Sequence, residues 1–216
     1  MRLNESDSPR TPVARSVCRF LFRSVCAALC VLLLAACSGP GSTEPTVKIG
    51  LSAPFEGLYR ELGYEVLYAV RLAVRERNAE GGVGQRYLVE LVALNDLNEA
   101  ETAVEQARKM AVDPAVLAVM GGLSAQTAPV ASEYEQLGLA FLTPNAELNS
   151  LDSPGTADAG FSARYGLLSG GAAPGLAATW AYAAANRMLD AMDSVARSNG
   201  QLTRSDTLNA VGSMDR

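Results

Sequence analysis

The chain has 216 residues, enough for one domain with a sizeable core, or a short leader and one domain, and tight for two full domains. Hydrophobic residues at 49% and charged residues at 19% exclude wholesale disorder. A formal charge of −5 lacks the basic footprint of a nucleic-acid binder, and the absence of histidine removes Ser-His-Asp and Cys-His triads and imidazole-dependent zinc sites.

The N-terminus carries Arg2, Arg10, Arg15, Arg19 and Arg23, then an apolar run from Val25 to Ala36 that is shorter than the roughly twenty residues of a membrane-spanning helix. This reads as a signal peptide over residues 1–36. Leu34-Ala35-Ala36-Cys37 resembles the bacterial lipobox, which implies a lipid on Cys37 and anchoring at the extracytoplasmic face of the membrane. Cys18, Cys26 and Cys30 precede the cleavage point, so no disulfide framework is expected. Removing the leader takes away five arginines and two acids, and 13 − 21 leaves −8 on 180 residues. Residues 37–46 are rich in Gly, Pro and Ser and read as a flexible tether ahead of a domain over 47–216.

Val47 to Ser52 is a β-type run ending at Ala53-Pro54. From Leu62 the residues Leu62, Val66, Val70 and Val74, with Ala69 and Ala73 beside them, mark one face of a helix that stops at Asn78 to Gly84. Arg86 to Leu94 is predicted as the second strand. Asn98 and Glu101 have capping-box spacing, and Ala100, Ala103, Val104, Ala107 and Met110-Ala111 form the next stripe, closed by Asp113-Pro114. Val116 to Met120 is a continuous apolar run, as expected of a strand buried on both faces. A third helix is predicted from near Ser124, with Thr127, Val130, Ala131, Tyr134 and Leu137 inward, and a fourth strand over Leu139 to Thr143. Residues 149–175 read as an irregular junction in which a regular element at Phe161 to Leu168 is not expected. Ala177, Trp180, Ala181, Ala184, Met188, Leu189, Met192 and Val195 mark a long helix, with Trp180 expected in the core, and Thr203 caps a last helix ending near Val211.

The alternation of strands and helices with short connections predicts an α/β fold, a doubly wound parallel sheet with helices on both faces. Ligands of such sheets bind beyond the carboxyl ends of the strands, here the loops 52–61, 95–98, 121–125 and 143–148. Gly81-Gly82-Val83-Gly84 lies between helix and strand, the reverse of a dinucleotide fingerprint, and reads as a turn. Gly122-Leu123-Ser124-Ala125-Gln126 lacks the last glycine of a nucleophile elbow. With Gly121 it reads either as an anion site, in which free amides at a helix start hold a carboxylate, or as a simple cap by Ser124. Asn95-Asp96 could reach a ligand or cap the next helix. No catalytic constellation, cofactor motif or metal-ligand set emerges, so no enzyme is expected.

Taken in order, the leader, Val47-Lys48-Ile49-Gly50, Asn78 with Glu80 to Gly84, Asp113-Pro114 with Val119 to Gly122, Ser124, and Gly138 with Thr143-Pro144 resemble the type I extracytoplasmic solute-binding proteins of branched-chain amino-acid ABC transporters. The resemblance covers 47 to about 148. Phe161 to Tyr165, Pro174 and Ala181 to Ala184 resemble the stretch with which that family returns to its first lobe, although Ala183 stands where the family usually has Asp. Family members have two lobes, so the resemblance implies a single lobe shortened between Glu147 and Phe161, with 47–148 as its first part and 176–212 as returning helices.

It also implies that Ser124 and the neighbouring amide of Ala125 hold a ligand carboxylate and that Asn145, Ala146 and Glu147 lie in the loop that holds both ends of an amino acid. Glu147 replaces the family's usual threonine. Tyr59 and Leu62 correspond to the first loop. The implied partners are an amino acid or amide and an ABC permease in the membrane. The alternative is a ligand-sensing or protein-interaction module that reuses one lobe.

Overall fold

Four parallel strands, β1 (Thr46–Ala53), β2 (Leu88–Asn95), β3 (Val116–Met120) and β4 (Ala140–Leu142), lie side by side in the order β2-β1-β3-β4. They belong to a computed structural model that describes residues 44–144 and 160–213. β1 pairs along its whole length with β2, from Thr46 opposite Leu88 to Ala53 opposite Asn95. β3 flanks β1 on the other side, with a register shift between Lys48 and Ile49. The chain therefore winds first to one side of β1 and then to the other, and the crevice between the ends of β1 and β3 is the topological switch point.

Among the described residues there are six helices: α1 (Arg60–Ala79), α2 (Ala100–Val112), α3 (Ala131–Gln136), α4 (Phe161–Ser169), α5 (Leu176–Asn199) and α6 (Arg204–Gly212). α1, α5 and α6 share one face, α4 packs on α1, and α2 and α3 take the other face. This is the doubly wound α/β arrangement expected from the sequence. All five residues of β3 are buried, which explains its uninterrupted apolar run.

The buried surface of α1 is broader than the predicted stripe and includes Val66, Leu67, Ala69, Val70, Leu72, Ala73 and Val74, because the helix faces both the sheet and α5. α5 answers with Ala178, Ala181, Ala184, Ala185, Met188, Leu189 and Met192. Polar bonds hold the pair along its length. Glu65 Oε1 accepts the Ala178 amide at 2.9 Å, Arg77 pairs with Asp190, and Asp193 Oδ1 accepts the Gly84 amide at 2.8 Å. Glu76 takes Arg164 Nε at 2.6 Å and the hydroxyl of Tyr182, joining α1, α4 and α5. Asn78 bonds both the amide and the carbonyl of Val89 at 2.8 Å, which fixes the end of α1 to β2.

The structure corrects several expectations. β2 begins at Leu88, since Tyr87 is used in a bridge to Val83 across the glycine turn. Asn98 forms no capping box: it sits at φ +62°, its amide bonds Asp96 Oδ1, and Glu99 precedes α2 without a side-chain cap. The third helix does not start at Ser124. A turn leads to a 3-10 stretch, Ala128–Val130, and α3 is only six residues long, with Pro129 contributing no amide to the preceding turn. The junction does contain a helix, α4, held by Phe161 and Tyr165, which are four apart and both buried. Trp180 is half-buried, not a core residue. Thr203 caps α6 as expected, its hydroxyl accepting the Asp206 amide.

Gly63 occupies the first turns of α1 directly against the carbonyl of Pro54, where a methyl group would lie 2.6 Å from the carbonyl carbon. Backbone on both sides cannot yield as a side chain can. Gly63→Ala is therefore expected to destabilise the protein by about 1–3 kcal/mol, read as a lowered urea midpoint at unchanged slope.

Candidate functional site

The carboxyl ends of the strands carry the loops that could meet a ligand, and a set of buried polar bonds fixes their shape. Asn95 Oδ1 accepts the amides of Phe55 at 2.9 Å and Leu97 at 3.1 Å, tying the loop after β1 to the loop after β2. Asp96 is fully buried. Its Oδ2 accepts the Ser52 hydroxyl at 3.2 Å, its Oδ1 accepts the Asn98 amide at 2.9 Å, and its own amide bonds Ala53 O at 3.1 Å. Burial pushes the Asp96 carboxyl above the usual range, partly offset by the hydrogen bonds from Asn98 and Ser52. Asp96 therefore points into the fold and shapes the loop; it neither reaches a ligand nor caps α2.

Gly121 and Gly122 carry the chain away from β3. A methyl at Gly121 would sit 3.1 Å from Ser52 O, and Gly122 adopts φ +68° with Thr143 Oγ1 3.0 Å from its missing methyl. The glycines let the β3 loop run against the ends of β1 and β4. Ser124 follows, half-buried, and closes a tight turn with buried Thr127. Their hydroxyls are 3.3 Å apart, each amide lies 3.4 Å from the other's hydroxyl, and Ser124 O accepts the Thr127 and Ala128 amides at 3.2 and 2.8 Å. The structure thus gives Ser124 the capping role, but on a turn and without a long helix behind it. Ala125 is exposed, and its amide has no partner among the described residues.

Tyr59 stands at the end of a 3-10 turn, Gly57–Tyr59, and is 43% exposed beside Leu58, which is 88% exposed. Leu62 turns the other way and packs on the core as a half-buried residue, so the loop presents Leu58 in its place. Asn145, Ala146, Glu147 and Cys37 lie outside the described residues. Among the described residues no cluster of three or more His, Cys, Asp or Glu side chains is placed to hold a metal. No helix there is long and apolar enough to cross a membrane. The sequence placed Ser124 and Tyr59 in loops at this edge, where the structure has them; it gave no warning of the Ser52–Asp96 bond, whose only local signal is a polar residue at the end of each of two neighbouring strands.

The sign of the Asp96 effect is opposite to that of a salt-bridged acid. Because its folded pKa is raised, burial of the charge weakens the fold above that pKa, and the penalty is relieved as pH falls through it toward the ordinary value of 3.8. Asp113, by contrast, is held low by Lys48 at 2.7 Å and loses its contribution on acidification. The difference isolates Asp96: in urea titrations, the stability of Asp96→Asn relative to wild type is expected to fall between pH 7 and pH 4.

Residues 46–156, just over half of the chain, match the family model described as periplasmic binding protein. Leu/Ile/Val-binding protein homolog 7 of Brucella melitensis is 30% identical over 129 residues, which cover 59% of this chain and 31% of that protein. Its counterpart in Brucella abortus is 32% identical over 110 residues, 51% of this chain and 27% of that protein. The chain thus spans about a third of the length of the curated relatives it matches, and these are binding proteins, not enzymes. A crystal structure from Rhodospirillum rubrum, described provisionally as a branched-chain amino acid ABC transporter, superposes with a TM-score of 0.65 at 18% identity over 79% of this chain and 90% of that one, and shows the same fold. With the sequence resemblance, the parallel sheet and the family match all in agreement, the chain belongs to the periplasmic binding protein family.

Proposed function

We propose that this chain is a solute-binding lobe of an ABC transporter for branched-chain or related amino acids or amides, working at the extracytoplasmic face of the membrane. The observation that carries the reading is the placement of Ser124 and the open Ala125 amide at the switch point of a family sheet, with a half-buried hydroxyl and a free N–H side by side. Such a pair suits a carboxylate, which gains from donors that need no reorganisation. Tyr59 supplies a half-exposed ring on the loop after β1, and Asn145, Ala146 and Glu147 follow Pro144 at the end of β4 in sequence. In this reading residues 1–36 are a signal peptide, Cys37 bears the lipid, residues 37–46 are the tether, and a membrane permease is the partner that receives the solute. The chain forms one lobe of the cleft, shortened between Glu147 and Phe161.

A cleft that closes over its ligand uses both walls. If two walls give about 1 μM, or about 8 kcal/mol, one wall with half the contacts gives about 4 kcal/mol and a constant of about 1 mM. Titration calorimetry with a panel of amino acids and amides is therefore expected to detect aliphatic amino acids in the millimolar range. Ser124→Ala should weaken them about tenfold or more, the worth of a hydrogen bond to a charged group, without changing the response to uncharged amides. Failure of every amino acid at concentrations ten times above that range would sink the transport reading. It would favour the protein-interaction alternative, for which the exposed side chains of Leu58 and Leu97 beside the same edge are the supporting observation.

A further inference from the structure

Away from the Ser124 turn, the first turns of α1 carry a stripe of a different kind. Glu61, Tyr64, Glu65 and Tyr68 fall at i, i+3, i+4 and i+7 and share one face, opposite Tyr165 of α4 and the 172–173 turn. Together they enclose an open hollow of about 180 Å³, several times the roughly 30 Å³ share of a water molecule. Tyr165, 2% exposed, lies deepest, and Tyr64, 40% exposed, stands at the rim. The Tyr68 and Tyr165 rings meet at 89° with centroids 6.2 Å apart, and Tyr64 continues the row at 6.2 Å from Tyr68, backed by Phe55 at 5.6 Å.

The charges around this hollow are Glu61, Glu65, Arg60 and the amino end of α5. Glu65 Oε1 is engaged with the Ala178 amide, which leaves Oε2 without a partner among the described residues. Glu61 pairs with Arg60 at 3.1 Å, but both side chains are largely exposed and water screens the pair. Three tyrosines and two carboxylates line the hollow, whereas Arg60 is outside its lining and the α5 amide engages only one Glu65 oxygen, so the lining opposes an anion and suits a cation. A small inorganic cation keeps its water and gains little from rings. A bulky, weakly hydrated organic cation can bury its methyl groups against the tyrosines while its charge stays near the carboxylates.

We propose that this hollow binds small organic ammonium ions of the quaternary or polymethylated class, at a site whose lining shares no residue with the Ser124 turn, so that it does not rest on the solute-binding reading. Tetramethylammonium chloride is the probe, titrated into the full chain and followed by tyrosine fluorescence and by saturation-transfer NMR of its methyl protons. tert-Butanol serves as the neutral counterpart and sodium chloride as the ionic-strength control. The expected result is saturable binding of tetramethylammonium in the millimolar range with no matching response to either control. Tyr64→Ala, a rim residue whose loss leaves the core intact, should weaken it about fivefold, Glu61→Gln should weaken it less, and Ser124→Ala should leave it unchanged. The proposal is overturned by the absence of saturable binding, by equal binding of tert-butanol, by an unchanged constant in Tyr64→Ala, or by loss of binding in Ser124→Ala.

Discussion

A parallel sheet must be covered on both faces, and on the face opposite α2 and α3 the cover is built from two helices far apart in sequence. α1 follows β1 directly, whereas α5 returns about a hundred residues later to lie along α1. Small residues make the meeting possible: Ala69 and Ala73 on one helix and Ala178, Ala181, Ala184 and Ala185 on the other are all buried. Valine, leucine and methionine then fill the space toward Ile49 and Leu51. The polar bonds between α1 and α5 set the register of the pair, since Glu65, Arg77 and the turn at Gly84 each find a partner at a different height on α5.

The same packing determines what the carboxyl edge can offer. The start of α1 is pressed on the Pro54 carbonyl at Gly63, which fixes where the first loop leaves the sheet. Asn95 and Asp96 then anchor that loop and its neighbour, and Gly121 lets the third loop approach Ser52. Ser124 is thus presented beside loops that the Asn95, Asp96 and Ser52 bonds hold in place, with the exposed Ala125 next to it. Loops held in place in this way lose little conformational freedom on binding.

The fold class was legible because β1 and β3 are short apolar runs bounded by breakers and because α1, α2 and α5 carry long stripes. What the pattern could not convey was contact between distant segments. The stripe on α1 was read too narrow because its second partner, α5, is remote. Asn98 has the composition of a cap, yet the bond from its amide to Asp96 holds it in a left-handed turn. The apolar character of Phe161 to Leu168 was visible but gave no helix, because only Phe161 and Tyr165 mark its buried side within a glycine-rich stretch. The loop positions of Ser124 and Tyr59 could be read from the order of the elements. Leu62 carried two expectations, the start of the α1 stripe and a ligand contact in the first loop, and its packing on the core fits the stripe, an outcome that depends on how Gly63 docks.

The open sheet leaves two outer edges among the described strands, β2 and β4. β4 is three residues long and offers little to a passing strand, but β2 runs for eight. Its exposed Glu90 is the kind of charge that discourages edge-to-edge pairing, and the acidic chain, at −5, adds repulsion between copies. Colloidal stability therefore rests on electrostatics more than on geometry, and salt works against it: at 1 M ionic strength charges are screened beyond about 3 Å.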